Sequence, residues 1–179
     1  MNNLKIYILI LIAGLSFSQS TNAQIKSFQL VQGGNIEMVF DTWKSLQSEY
    51  FYPIHTIFKL KFQSATQKFN LYIYADPYFT GQDGSLPCSF VCIKGGITTT
   101  SGALVSGTIS IANNTSMPSS PTNPVMRNMG LADSSSDSDP EYVVEIQFMY
   151  SQGRTGILLS DFDAGHYFNN IRIGVEVFE

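Results

Sequence analysis

Histidine and cysteine are scarce in this chain, two of each in 179 residues, and tryptophan occurs once. That scarcity removes the usual zinc arrangements: there is no His-Glu-x-x-His helix motif and no paired Cys/His spacing. A serine nucleophile elbow of the form Gly-x-Ser-x-Gly is missing, and no glycine-rich phosphate loop joins a strand to a helix. Basic side chains are few as well, ten against 14 acidic ones, for a formal net charge of −4. Such a chain is poorly suited to the phosphate backbone of nucleic acid, and an anionic membrane surface is hardly a better partner. The residue types call for no cofactor.

Long apolar runs are absent except at the start. Residues 1–7 carry one charge, Lys5, and Ile6 to Phe17 is almost wholly apolar. A polar stretch follows, with Thr21 and Ala23 at the small-residue positions ahead of Gln24. The order charged, apolar, small marks a cleavable secretory signal over residues 1–23. Its apolar run of about a dozen residues falls short of the ~20 that a membrane-spanning helix needs. The expected product, residues 24–179, is one domain in the periplasm, at the cell surface or outside the cell, and not an integral membrane protein. Without Lys5 the ten basic side chains become nine, so the mature net charge is −5.

Export permits disulfides, and Cys88 and Cys92 are the only pair available. In an extended strand, positions four apart lie ~13 Å from each other, whereas a disulfide needs a Cα separation of ~5.5 Å. A bond between them therefore requires a turn at Pro87 to Cys92; without one they are two small buried residues on one face of a strand.

What is plentiful is alternation. Phe58, Leu60 and Phe62 alternate with Lys59, Lys61 and Gln63. Phe69, Leu71, Ile73 and Ala75 share one parity, and Asn70, Tyr72 and Tyr74 the other. Similar stripes run through Ile36 to Phe40, Tyr142 to Tyr150 and Ile171 to Val177, with weaker ones at Phe28 to Val31, Ser89 to Ile93 and Ala103 to Ile111. Period two over short segments predicts half-buried strands. Turns are expected at Gly33-Gly34, at Gln82-Asp83-Gly84 and at Gly95-Gly96. Helical character is confined to Asp41 to Tyr50. The fold class that follows is all-β, an antiparallel two-sheet β-sandwich of the Ig-like or pilin-like kind, with a closed barrel as the runner-up. Residues 112–140, rich in Ser, Asn, Pro, Asp and Met and without periodicity, are expected to form one long flexible loop.

Chemistry is thinly represented. His166 lies in Asp161-Phe-Asp-Ala-Gly-His-Tyr167, which reads as a turn before the last strand, its carboxylates capping backbone amides. The acidic run Asp133 to Asp139 lacks the glycine and distal glutamate of a twelve-residue calcium loop. A glycosidase pair among Glu37, Asp41, Glu49, Asp76, Asp83, Asp161 and Asp163 is a matter of spatial distance that the sequence does not give. No catalytic residue is assigned, and a non-enzymatic protein is the expectation. Aromatic residues are more informative. Trp43, Tyr72 and Tyr74 are the candidates for an exposed platform, since stacking on such faces binds sugar rings or protein partners.

Three stretches carry a resemblance: Asn35-Ile-Glu-Met-Val-Phe-Asp-Thr-Trp43, Lys68-Phe-Asn-Leu-Tyr-Ile-Tyr-Ala75 and Asp161-Phe-Asp-Ala-Gly-His-Tyr167. In these the chain resembles exported fimbrial-subunit-like and spore-coat-like β-sandwich proteins of Gram-negative bacteria. The resemblance implies a structural, adhesive or assembly component of the cell surface, with like subunits as partners. A carbohydrate-binding module with surface glycans as ligands is the alternative that the aromatics suggest. The long Ser/Pro/Asn insertion departs from that family. Phe28 and Leu30 belong either to a strand donated to a neighbour or to the chain's own first strand.

Overall fold

The computed structural model describes residues 24–33, 38–40, 50–51, 56–82, 84–113, 115–132, 139–150 and 165–178. Among them the fold is all-β, built from antiparallel strands with one short 3₁₀ turn at Cys88–Phe90. The first sheet contains β1 (Ile25–Gln32), β3 (Tyr50–Phe51), β4 (Thr56–Phe62), β8 (Val91–Thr99), β10 (Thr115–Ser116) and β12 (Glu141–Tyr150). Its order is β1-β4-β12-β8-β10, with β3 also paired to β12. The second has the order β14-β5-β11-β9, from β5 (Lys68–Ala75), β9 (Val105–Ile109), β11 (Met126–Leu131) and β14 (Ile171–Phe178). A third, smaller sheet runs β2-β13-β6-β7, from β2 (Met38–Phe40), β6 (Tyr78–Gly81), β7 (Ser85–Pro87) and β13 (Gly165–Phe168).

The alternation seen in the sequence is what makes the two larger sheets stack. In β4, Phe58, Leu60 and Phe62 are fully buried while Lys59 and Lys61 lie on the wetter face. In β5, Phe69, Leu71, Ile73 and Ala75 are buried and Asn70, Tyr72 and Tyr74 are half-exposed. β12 contributes Tyr142, Val144, Ile146 and Phe148 to the same core. Phe62 and Phe69 stack with centroids 4.9 Å apart, and Tyr142 meets both edge-on at 5.5 and 5.1 Å. Offset and edge-on pairs suit the ring quadrupole, so this trio joins the sheets where β4 turns into β5. The third sheet adds Phe79, Leu86 and Tyr167 to the same cluster.

Two tight connections set which strands lie over one another. Between β4 and β5, the buried Gln67 turns its Oε1 onto the backbone N–H groups of Gln63 and Ser64, at 3.1 and 3.3 Å. Between β8 and β9, Thr99 Oγ1 donates to the Ala103 carbonyl at 2.8 Å. β4 and β5 are each second from one end of their sheets, so the edge strands β1 and β14 share one flank of the sandwich.

Several expectations change. Residues 112–140 are not one long loop: β10 and β11 lie within them, and β11 is an interior strand between β5 and β9. Gly95-Gly96 is no turn but the middle of β8, where a Cβ on Gly95 would come within 2.7 Å of Ile111 Cδ1 and 2.8 Å of Ile146 Cδ1. Glycine stands there because two isoleucines press on the backbone. His166 and Tyr167 lie on β13, and Asn169-Asn170 is the two-residue link to β14. β6 and β7 pair antiparallel on either side of the expected turn at 82–84, with Gly81 N–H donating to the Gly84 carbonyl at 2.9 Å, and Asp83 lies outside the described residues. The signal at 1–23 lies outside the described residues, as does all of the expected helical stretch Asp41 to Tyr50 but its last residue, and Tyr50 belongs to β3. Among those described, no helix is long and apolar enough to cross a membrane.

Candidate functional site

Parity along β5 and the register of β14 together build one polar and aromatic face. β14 pairs antiparallel with β5 so that Arg172 stands opposite Tyr74, Gly174 opposite Tyr72 and Glu176 opposite Asn70. Residues directly opposite in such a pair point to the same side. The side away from the core therefore presents Asn70, Tyr72 and Tyr74 beside Arg172, Gly174 and Glu176.

This face is tied together by hydrogen bonds. Glu176 Oε2 accepts from Asn70 Nδ2 and from the Tyr72 hydroxyl, both at 2.9 Å. At the other end Asp76 accepts from Arg172 and, at 3.0 Å, from Asn170 Nδ2. The Arg172 guanidinium also lies over the Tyr74 ring, 5.9 Å from its centroid, within range of a cation–π contact. Asn169 grips the backbone of Asp76 from both sides, accepting its N–H at 3.0 Å and donating to its carbonyl at 2.8 Å.

These bonds shift the titrations in consistent directions. The amide of Asn170, and then Arg172, hold the Asp76 carboxyl below the usual range. Asn70 and then Tyr72 do the same for Glu176. The Tyr72 phenol moves up, chiefly because ionising it would break its bond to Glu176. All three are cases of a hydrogen bond favouring one protonation state.

Tyr72 and Tyr74 are thus where their parity places them, half-exposed on the outer side of a sheet. Opposite Tyr72 the backbone is bare: a Cβ on Gly174 would sit 3.6 Å from the Tyr72 Cβ, so an ordinary side chain would fit against it. Glycine leaves that ground open next to the ring. The third aromatic candidate, Trp43, lies outside the described residues. Arg172, Gly174 and Glu176 were visible in the sequence only as the polar parity of the last strand. Nothing in the sequence said that β14 would lie beside β5.

Cys88 and Cys92 are not joined by a disulfide, and both are buried. Cys88 opens the 3₁₀ turn and its thiol donates to the Met117 carbonyl at 3.5 Å, while Cys92 is already in extended β8. Burial pushes the Cys88 thiol up, which makes it a poor nucleophile. Of the acidic run, Asp139 is the described member, and Lys26 at 2.6 Å and Lys61 at 3.8 Å compete for it with any cation. Of the carboxylates considered for glycoside hydrolysis, Asp76 is the described one, and it faces Arg172 and Asn170. His166 is exposed on β13. Among the described residues no three His, Cys, Asp or Glu side chains gather as metal ligands.

No family model, curated protein or solved structure matches this chain.

Proposed function

We propose that this chain is an exported, non-enzymatic β-sandwich that serves as a structural or adhesive component of the cell surface. The leader pattern in residues 1–23 supports export. The observation that carries the adhesive role is the outer face of β5 and β14. There, two half-exposed tyrosines stand among amide, carboxylate and guanidinium groups whose positions are fixed by cross-strand hydrogen bonds. A pre-ordered face of this kind makes contact at small entropic cost, because its side chains are already held before a partner arrives.

The same face favours a second reading, a carbohydrate-binding module. Aromatic rings flanked by amides and charged groups offer a sugar both an apolar surface and hydrogen-bonding partners. The test takes both together. Purified protein is applied to a glycan array and to host-type surfaces, beside the variants Tyr72→Ala and Tyr74→Ala. Glycan binding that falls by about tenfold or more in either variant selects the module. Attachment to surfaces without a glycan signal, lost on deletion of the gene and restored by wild-type protein, selects the structural or adhesive role. Turnover of a glycan by the purified chain would overturn both.

A further inference from the structure

Among the described residues β14 ends its sheet and pairs only with β5, through eight consecutive pairs from Ile171↔Ala75 to Phe178↔Lys68 with no bulge. Among the described residues the other end strands of the two larger sheets are blunted. β1 has register shifts at both ends, β10 has two residues, and β9 contains Gly107 at φ 126° with a shifted register to β11. A long regular edge is what soluble sandwiches ordinarily avoid, because its backbone groups are a template for another strand.

The sequence of that edge, Ile171-Arg-Ile-Gly-Val-Glu-Val177, is complementary to itself when reversed about Gly174. We infer that β14 pairs antiparallel with β14 of a second copy, about a twofold axis through Gly174. In that register Arg172 of one copy stands opposite Glu176 of the other, twice over. Ile173 meets Val175 and Ile171 meets Val177 on the core side. The two glycines meet on the axis, where side chains would otherwise crowd.

Other registers lose this match. A slip of one residue sets the polar parity against the apolar one. Moving the axis by one residue either way places Arg172 or Glu176 opposite Gly174 and leaves no opposed ion pair. Within one copy, Glu176 is held by the neutral donors Asn70 and Tyr72, so the opposing Arg172 brings it a cation. Arg172 in turn is already fixed by Asp76, which keeps its position ordered.

The apolar side agrees. Ile171, Ile173, Val175 and Val177 are only partly buried although they pack against the core. On the same flank Phe28 and Leu30 of β1 pair with Leu60 and Phe58, so they face the inter-sheet side, yet they stay 50% and 52% exposed. Joining two copies along β14 brings both β1 strands towards the axis and shelters these residues. The association uses the edge of the sheet and stands whatever the β5–β14 face binds.

Sedimentation analysis of the purified protein tests this, with two charge variants. Arg172→Glu makes the strand doubly acidic and Glu176→Arg makes it doubly basic. Each alone should raise the dimer Kd by about tenfold or more, since like charges then stand opposite. An equimolar mixture of the two should form a heterodimer, because every opposed pair is again of opposite sign. Gly174→Glu serves as a control that spares Arg172 and Glu176: its Cβ has room in one copy, but it sets two carboxylates face to face on the axis. Circular dichroism checks that each variant is folded. A wild-type chain that sediments as a monomer at all concentrations would overturn the inference. So would a dimer that ignores all three substitutions, or folded charge variants that fail to combine when mixed.

Discussion

Asn70 holds Asn128 in a left-handed backbone conformation: its Oδ1 accepts the Asn128 N–H at 3.0 Å, and Asn128 has φ 53°. The bond spans the irregular part of β11, where the register to β5 shifts between Met126 and Met129. Left-handed geometry strains residues with a Cβ, asparagine less than most and glycine hardly at all. Asn128→Gly is therefore expected to change stability by no more than a few tenths of a kcal/mol, and Asn128→Ala to cost about 1 kcal/mol. Urea unfolding followed by far-ultraviolet circular dichroism measures both. Equal losses for the two would show that the strain argument is wrong.

Gln67 offers a sharper test, because its side chain is buried and bonded to two backbone amides in the β4–β5 turn. Replacing it by Leu keeps the bulk and strips the acceptor from Gln63 and Ser64. A loss of about 1–3 kcal/mol is expected, the cost of leaving such groups without a partner. A smaller loss for Gln67→Glu at neutral pH than for Gln67→Leu would confirm that the acceptor matters, since a carboxylate still accepts.

How legible the fold was depended on whether a strand kept its period. β4, β5, β12 and β14 were readable because one face of each packs against the core, and every second residue follows from that. β11 was not, since the bulge at Asn128 breaks alternation in Met-Arg-Asn-Met-Gly-Leu and leaves a composition typical of loops. Gly95-Gly96 misled for another reason: Ile111 and Ile146 press on the backbone at Gly95, so a glycine that a strand requires looks like part of a turn. Tyr72 and Tyr74 could be placed on an outer face from parity alone. Their partners Arg172 and Glu176 could not, because which strand neighbours which is a long-range outcome that no local pattern encodes.

The two unbridged cysteines give a prediction of their own. Cys88 and Cys92 are buried, and the Cys88 thiol is held protonated by its surroundings. Alkylating reagent should label neither in native protein and both after unfolding, counted by intact mass. Labelling of the native chain at Cys88 would contradict its burial, and a mass two hydrogens short would reveal a disulfide.

The pair Tyr72 and Glu176 should make stability fall at both ends of the pH scale. Glu176 has a folded pKa below its unfolded value, so its contribution is complete above the unfolded pKa and is lost as pH falls through the folded one. Asp76 and Asp139 act in the same direction, Asp139 mainly through Lys26, which places this acid limb below about pH 4. Tyr72 runs the other way. Its folded pKa is raised, so its contribution is complete below the unfolded value and disappears as pH climbs through the folded one, above about pH 10. One hydrogen bond therefore fails twice, by protonation of its acceptor in acid and by ionisation of its donor in alkali. Urea midpoints measured across pH should show the acid limb shrinking in Glu176→Gln and the alkaline limb shrinking in Tyr72→Phe, each leaving the opposite limb less changed. Because these groups are exposed, high salt should weaken the Asp139–Lys26 ion pair more than the bond that the uncharged Tyr72 hydroxyl donates to Glu176. If neither substitution alters its own limb, the cross-strand bond does not persist in solution, and the ordered face on β5 and β14 loses its main support.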